Sequence, residues 1–114
     1  MMAINQMALD YFTSNLTLVT PETIAAREYI RKRWGDKFAT YCGIGFATAN
    51  WDGLYRHAQN KGYSIELMLE LGLIKRGQQG KIYDFYRNRI MIPIRDKFSR
   101  VIGFTARDFS DEKD

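Results

Sequence analysis

The sequence has few residues that could build a covalent or metal-bound site. Cys42 is its one cysteine and His57 its one histidine, so neither a disulfide framework nor a thiolate/imidazole zinc site can form within the chain. The ordinary interpretation of this pair is a buried thiol and an imidazole on a helix surface rather than a Cys–His catalytic pair. The segment GIGFA at 43–47 has two glycines but lacks the rest of a nucleotide-binding fingerprint.

Long apolar runs are also missing. The apolar runs fall far short of the roughly 20 residues that a membrane span needs, and the start MMAINQMALDYF lacks the basic beginning and long apolar segment of a signal peptide. We therefore expect a cytoplasmic protein without membrane contact. At 114 residues and 46% hydrophobic, the chain is long enough for one core, which predicts a single domain, 1–114. The acidic, polar tail at 110–114 is expected to fray.

Between Lys75 and Arg107 acidic residues are few and basic residues are concentrated. From Lys75 to Arg107 there are nine Lys/Arg and two Asp, a charge of +7 in a chain of net +4, so the remaining residues carry −3. Asp84 and Asp96 are too few to form the convergent carboxylates of a two-metal phosphoryl-transfer site. A basic face interleaved with aromatic rings suits a single-stranded nucleic acid, and a merely solvated basic face is the alternative. The aromatic residues are Tyr83, Phe85 and Tyr86.

The pattern of apolar residues predicts an α+β fold. Its periodicity is near 3.6 before Leu73 and near 2 after it. We expect N-terminal short helices packed on a small, mainly antiparallel β-sheet that contains a hairpin at about 88–107. Predicted helices cover 5–16, 21–34, 36–41, 51–61 and 65–71, with Thr20, Asn50 and Ser64 as caps and Gly35, Gly62 and Gly72 as stops. Predicted short strands cover 73–75 and 81–83. The aromatic residues of the small helices, Trp51 included, are expected to be packing anchors.

The register of the hairpin follows from its apolar residues. A three-residue loop at 97–99 pairs Asp96 with Arg100, Ile94 with Ile102 and Ile92 with Phe104. This register completes one apolar face and places opposite charges across the turn. It also predicts that Arg89 lies opposite Arg107, with Arg87 beside them on the outward face. Ser99 would then need a left-handed backbone conformation.

Several motifs together resemble a known family. In chain order they are the helix pattern Ala26-x-x-Tyr29-Ile30-x-x-Arg33, then GIGFA, Trp51-Asp52, Leu71-Gly72-Leu73, YDFYRNRIMIPIRD and RVIGFTAR. In this order they resemble the N-terminal subdomain of the catalytic core of bacterial DnaG-type DNA primases, from about Tyr11 to Arg107. Thr105-Ala106 stands in place of a glycine pair, and Trp34 and Ser99 in place of glycines. These departures suggest a divergent primase, from a mobile element rather than a replication fork.

The resemblance implies a function in primer synthesis during DNA replication. In that family the subdomain precedes a TOPRIM subdomain, whose acidic residues bind the catalytic metal ions, Mg²⁺ or Mn²⁺. A separate zinc-binding domain helps to recognise the template. Within the 114 residues no cofactor is expected. The resemblance implies a primase fragment or separate module that holds single-stranded DNA template or an RNA–DNA primer duplex, is inactive as a nucleotidyltransferase by itself, and has the replicative helicase as a possible partner. The alternative is a protein-interaction module that docks a helicase or a separate catalytic subunit.

Four arginines match family motif positions. Arg87, Arg89 and Arg107 fall on the arginines of FRxR-like and GFGGR-like motifs, and Arg33 falls on the arginine that ends the helix pattern. The resemblance implies that these four contact nucleic acid. Each has a structural alternative, since Arg33 would favour a helix C-terminus and Arg87 or Arg89 could pair with Asp84 or another acid.

Overall fold

The computed structural model describes residues 2–35 and 43–109. Cys42, the predicted helix at 36–41 and the tail at 110–114 lie outside these residues. The described helices are α1 (Met2–Asn15), α2 (Pro21–Trp34), α3 (Gly53–Asn60) and α4 (Ile65–Glu70). The strands are β1 (Gly45–Ala47), β2 (Ile74–Arg76), β3 (Ile82–Asp84), β4 (Arg89–Arg95) and β5 (Val101–Arg107), with a 3₁₀ turn at Gln78–Gly80. The α+β prediction is confirmed. None of the described helices is long and apolar enough to cross a membrane.

Of the three predicted N-caps, Thr20, Asn50 and Ser64, the structure confirms two. The Thr20 hydroxyl accepts a hydrogen bond from the N–H of Thr23 at 3.1 Å, and the Ser64 hydroxyl accepts one from Leu67 at 3.2 Å. Each satisfies a free N–H of a first helical turn. The predicted cap at Asn50 is wrong, because α3 begins only at Gly53. The first turn of α3 is instead capped from a distant strand, as described below.

The strands form two antiparallel sheets, a three-stranded one in the order β1-β4-β5 and a β2-β3 hairpin. Helices pack on both faces of the larger sheet. On one face α1 buries Phe12 with Met91 in a core that also includes α3 and α4, and on the other face α2 buries Ala26 and Ile30 against Ile90. Because both faces are covered, adjacent residues of β4 are buried in succession. Gly45 makes the approach of α1 possible, since a Cβ there would lie 2.5 Å from the Cβ of Phe12.

The predicted hairpin register is confirmed only next to the turn. The N–H of Asp96 donates to the carbonyl of Arg100 at 3.0 Å, and Ser99 has the expected left-handed backbone with φ of 65°. Beyond Arg95 and Val101 a β-bulge shifts the pairing by one residue. Ile102 is the extra residue, and from there Ile94 pairs with Gly103, Ile92 with Thr105 and Ile90 with Arg107.

The bulge changes which side chains share a face. Phe104 joins the α1 face, where its ring meets that of Phe12 edge-on at 5.3 Å between centroids. Ile90 lies on the α2 face, so the predicted common Ile/Phe face is wrong. Arg107, opposite Ile90, also lies on the α2 face, whereas Arg89 pairs with Ala47 and lies on the α1 face. The prediction that Arg89 and Arg107 pair across the hairpin is therefore wrong. The two side chains lie on different faces of the sheet, at the same end of it.

Candidate nucleic-acid interface

Arg87 and Arg89 lie in one open groove at the end of the larger sheet. The groove has a volume of about 520 Å³ and is walled by Trp51, Phe85, Tyr86 and Ala106 as well as the two arginines. The Arg87 guanidinium carbon lies 3.8 Å from the centroid of the Trp51 ring and 5.4 Å from that of Tyr83. A guanidinium on a ring face keeps its edge N–H groups available for a phosphate. The groove therefore combines a flat aromatic surface with anion-binding donors.

A sharp bend of the backbone between β3 and β4 positions the two arginines. Asn88, between them, has a left-handed conformation with φ of 54°, which asparagine tolerates better than most residues. Its N–H donates to the carbonyl of Thr48 at 3.0 Å, tying the bend to the loop after β1. Arg89 Nη1 donates to the carbonyl of Asn88 at 3.0 Å, so its guanidinium folds back over the bend.

Trp51 was missed as a site residue by sequence reasoning. The prediction that it is a packing anchor is wrong, because 63% of its surface is exposed. It lies in the loop before α3, whereas Leu54 and Ala58 are the buried residues of that helix. No local signal indicated this exposure, because Trp51 lies at helical spacing with Leu54 and Ala58, and only the observed start of α3 at Gly53 places it outside the helix.

Arg107 and Arg33 lie around Trp34 on the other side of the sheet. Arg107 Nε donates to the Tyr29 hydroxyl at 3.0 Å, and its guanidinium carbon is 5.8 Å from the centroid of the Trp34 ring. The guanidinium carbon of Arg33 lies at 5.8 Å from the same ring. The structure thus brings the four predicted arginines together as two pairs rather than one cluster. Asp108, next to Arg107, has its Oδ2 3.9 Å from Arg89 Nη2, so the two pairs adjoin at this end of the sheet.

Asp84 pairs with neither Arg87 nor Arg89, contrary to the structural alternative to nucleic-acid contact, whereas another acid, Asp108, lies 3.9 Å from Arg89. Its side chain is buried, and its two oxygens accept the N–H groups of Leu54 at 2.8 Å and Tyr55 at 3.0 Å. It therefore caps α3 from a strand 30 residues later in the chain. Burial raises the pKa of Asp84 to about 6, although the two N–H groups act to lower it. Arg87 binds the backbone carbonyl of Asp84 instead of the carboxylate.

Within residues 2–35 and 43–109, no group of three or more His, Cys, Asp or Glu is gathered that could hold a metal ion. His57 packs its ring 5.0 Å from that of Tyr11, and burial lowers the pKa of the imidazole. The arrangement of the described residues is thus suited to binding an anionic polymer through arginines and rings.

Comparison with known proteins decides the family. A family profile described as "DNA primase catalytic core, N-terminal domain" matches residues 11–114. This chain belongs to that family. The primase resemblance of its motifs is therefore confirmed. The DNA primase of Deinococcus radiodurans is 38% identical over 112 residues, which cover 96% of this chain and 19% of that protein. The DNA primase of Mycobacterium tuberculosis H37Rv is 34% identical over 113 residues, 98% of this chain and 17% of that protein.

Solved primase structures share the fold of this core domain. The RNA polymerase domain of M. tuberculosis DnaG, in complex with a double-stranded DNA oligomer with a 6-nucleotide overhang, superimposes with a TM-score of 0.87 at 34% identity. The match covers 97% of this chain and 34% of that one. A DnaG primase catalytic domain bound to single-stranded DNA gives a TM-score of 0.87 at 29% identity, covering 96% of this chain and 35% of that one. This primase-core domain thus spans about a fifth of the curated relatives and about a third of the solved chains.

Proposed function

We propose that this domain holds single-stranded DNA template, or the RNA–DNA primer duplex formed on it, for primer synthesis. The observation that carries the proposal is the stacking of Arg87 on Trp51 at 3.8 Å, beside Arg89 in the same groove. Guanidinium groups bind phosphates through paired N–H donors, and an exposed ring stacks on bases of any sequence. Two relatives of the same fold were solved with DNA, one with single-stranded DNA and one with an overhang.

The proposal assigns binding to all four arginines, from two sides of one sheet end. Arg87 and Arg89 would contact the strand from the α1 face, and Arg107 and Arg33 from the α2 face. Asp108 lies between the pairs and near Arg89 at 3.9 Å. A DNA strand that passes over this end of the sheet would meet both pairs of arginines in succession. The whole chain, as one domain, would serve as the template-holding part of a larger core.

Metal-dependent nucleotide transfer is assigned to other parts of a complete primase. The described residues gather no group of carboxylates that could hold Mg²⁺ or Mn²⁺. We propose that a TOPRIM subdomain supplies the acidic residues that bind these ions, and that a zinc-binding domain contributes to template recognition.

A partner-docking function is the second candidate, because the tip of the β4–β5 hairpin is apolar and exposed. Phe98 is 66% exposed, Ile102 53% and Ile94 44%. A helicase or a separate catalytic subunit is the partner that this candidate predicts. Its binding would be insensitive to salt and would be lost in Phe98→Ser without any change in DNA affinity.

Fluorescence anisotropy with a short labelled oligothymidylate tests the template-holding proposal. Charge-assisted hydrogen bonds contribute about 1.5–3 kcal/mol each, so Arg87→Ala/Arg89→Ala is expected to weaken binding about tenfold or more. The matched control is Lys61→Ala/Lys97→Ala, which removes the same charge from two exposed positions, one after α3 and one at the hairpin turn. Equal loss in the two double variants would contradict the residue assignment, and absence of binding by the unaltered domain would contradict the function.

A further inference from the structure

A second groove shares Trp51 with the groove of Arg87 and Arg89. It has a volume of about 550 Å³. Its walls are Trp51 and Asp52 on one side and the β2–β3 hairpin on the other, with Gly77, Gln78, Lys81, Ile82 and Tyr83. The turn of that hairpin is closed by the N–H of Gly77, which donates to the carbonyl of Lys81 at 2.7 Å.

The chemistry of the second groove differs from that of the arginine groove. Its interior surface comes from Ile82 and from the rings of Tyr83 and Trp51, which meet edge to face at 5.8 Å between centroids. The carboxylate of Asp52 is engaged by Arg56, whose Nε lies at 2.8 Å. Lys81 supplies one cation and Gln78 one amide at the exposed rim. Such a groove suits a flat, largely apolar ring with hydrogen-bonding groups on its edge rather than a phosphate.

The two grooves adjoin at Trp51. The indole belongs to the wall of both, and the Arg87 guanidinium lies 3.8 Å from its centroid and 5.4 Å from that of Tyr83. Each nucleotide of a DNA single strand carries one phosphate and, on its sugar, one base. A phosphate bound by the arginines therefore leaves the base of the same or the next nucleotide near the second groove. We infer that the groove between Trp51 and the β2–β3 hairpin binds one unstacked base of the DNA strand whose phosphates lie on Arg87 and Arg89. The inference rests on the proposed function.

Binding of a base-bearing and an abasic strand tests the inference. The probes are labelled oligothymidylate and an abasic deoxyribose-phosphate oligomer of the same length. Tyr83→Leu keeps an apolar side chain but removes the ring. It is expected to lower the affinity for oligothymidylate about tenfold and to leave the affinity for the abasic oligomer unchanged. An equal effect on both oligomers, or no effect on either, would overturn the inference.

A second measurement uses the unaltered domain and so does not depend on the folding of a variant. Amide chemical shifts are recorded during titration with thymidine, which has a base but no phosphate. Shifts are expected at the residues that line the second groove, which are Trp51, Asp52, Gly77, Gln78, Lys81, Ile82 and Tyr83. Shifts only at other residues, or none at millimolar thymidine, would overturn the inference. The proposed function fails separately, if the unaltered domain binds neither oligomer, whereas Arg87→Ala/Arg89→Ala binding both oligomers as the unaltered domain does would contradict the assignment of the phosphates to these arginines.

Discussion

Arg107 and Tyr29 are joined by a 3.0 Å hydrogen bond from Nε to the phenol oxygen, between positions 78 residues apart. The bond exists because the bulge at Ile102 turns Arg107 onto the α2 face, where Tyr29 lies. Nε is the guanidinium nitrogen nearest the chain, so its use leaves the outer nitrogens of Arg107 for a ligand. Tyr29 is therefore a positioning residue for Arg107 in the proposed interface.

Tyr29→Phe tests this role, since it keeps the ring and removes the hydroxyl. The net value of one hydrogen bond is about 1 kcal/mol, so DNA affinity is expected to fall about fivefold in anisotropy titrations. Tyr55→Phe is the matched control, because it removes a hydroxyl that accepts a 3.1 Å hydrogen bond from Gln59 on α3. Equal DNA affinities of the two variants would contradict a positioning role.

Gly45→Ala is expected to destabilise the fold strongly. A Cβ at Gly45 would lie 2.6 Å from the carbonyl carbon of Phe12 and 2.8 Å from its oxygen, so α1 itself would have to move. Overpacking of this kind costs about 1–3 kcal/mol and occasionally more. Gly103→Ala is the control, because a Cβ there meets nothing within 4 Å, and its effect should stay within about 0.5 kcal/mol. Urea denaturation measures the stability of both variants. Similar midpoints would contradict the claim that the close approach of α1 requires glycine at position 45.

The pH dependence of stability should change when Asp84 is replaced by asparagine. The pKa of Asp84 is raised from 3.8 to about 6, mainly by burial and in smaller part by Asp52, while the N–H groups of Leu54 and Tyr55 and the charge of Arg87 act to lower it. The folded state then binds more protons than the unfolded state between these values, so stability rises as pH falls through this window. From pH 7 to pH 4, the unaltered domain should gain on the order of 2–3 kcal/mol relative to Asp84→Asn.

Urea denaturation of both proteins at several pH values gives this difference. A constant difference in the free energy of unfolding would show that the two N–H groups of α3 fully offset the desolvation of the carboxylate.

Local signals in the sequence predicted much of the fold. The caps at Thr20 and Ser64, the stop at Gly35 and the turn at 97–99 depend on residues a few positions apart, and the structure confirms each of them. The bulge at Ile102 could not be predicted in this way. Ile90 and Met91 are both buried because helices cover both faces of the sheet, so alternation along β4 did not fix the register.

The candidate site shows the same division between near and distant contacts. Arg87 and Arg89 are neighbours in sequence and share a groove. Arg107 was placed on the wrong face because its position depends on the bulge. The cap that Asp84 provides for α3 links residues 30 positions apart, and the exposure of Trp51 depends on how that helix docks. Contacts between residues so far apart in the chain depend on tertiary packing, which cannot be predicted from a local sequence pattern.

The salt dependence of DNA binding tests the central claim most directly. If Arg87 and Arg89 each neutralise one phosphate of a single strand and Arg107 and Arg33 share a third, the slope of log affinity against log salt concentration should be roughly −2. In Arg87→Ala/Arg89→Ala the slope should fall to roughly −0.7, as expected for one remaining phosphate, whereas Lys61→Ala/Lys97→Ala should keep the original slope. A slope that is unchanged in the arginine variant would contradict the assignment of the phosphates to this groove.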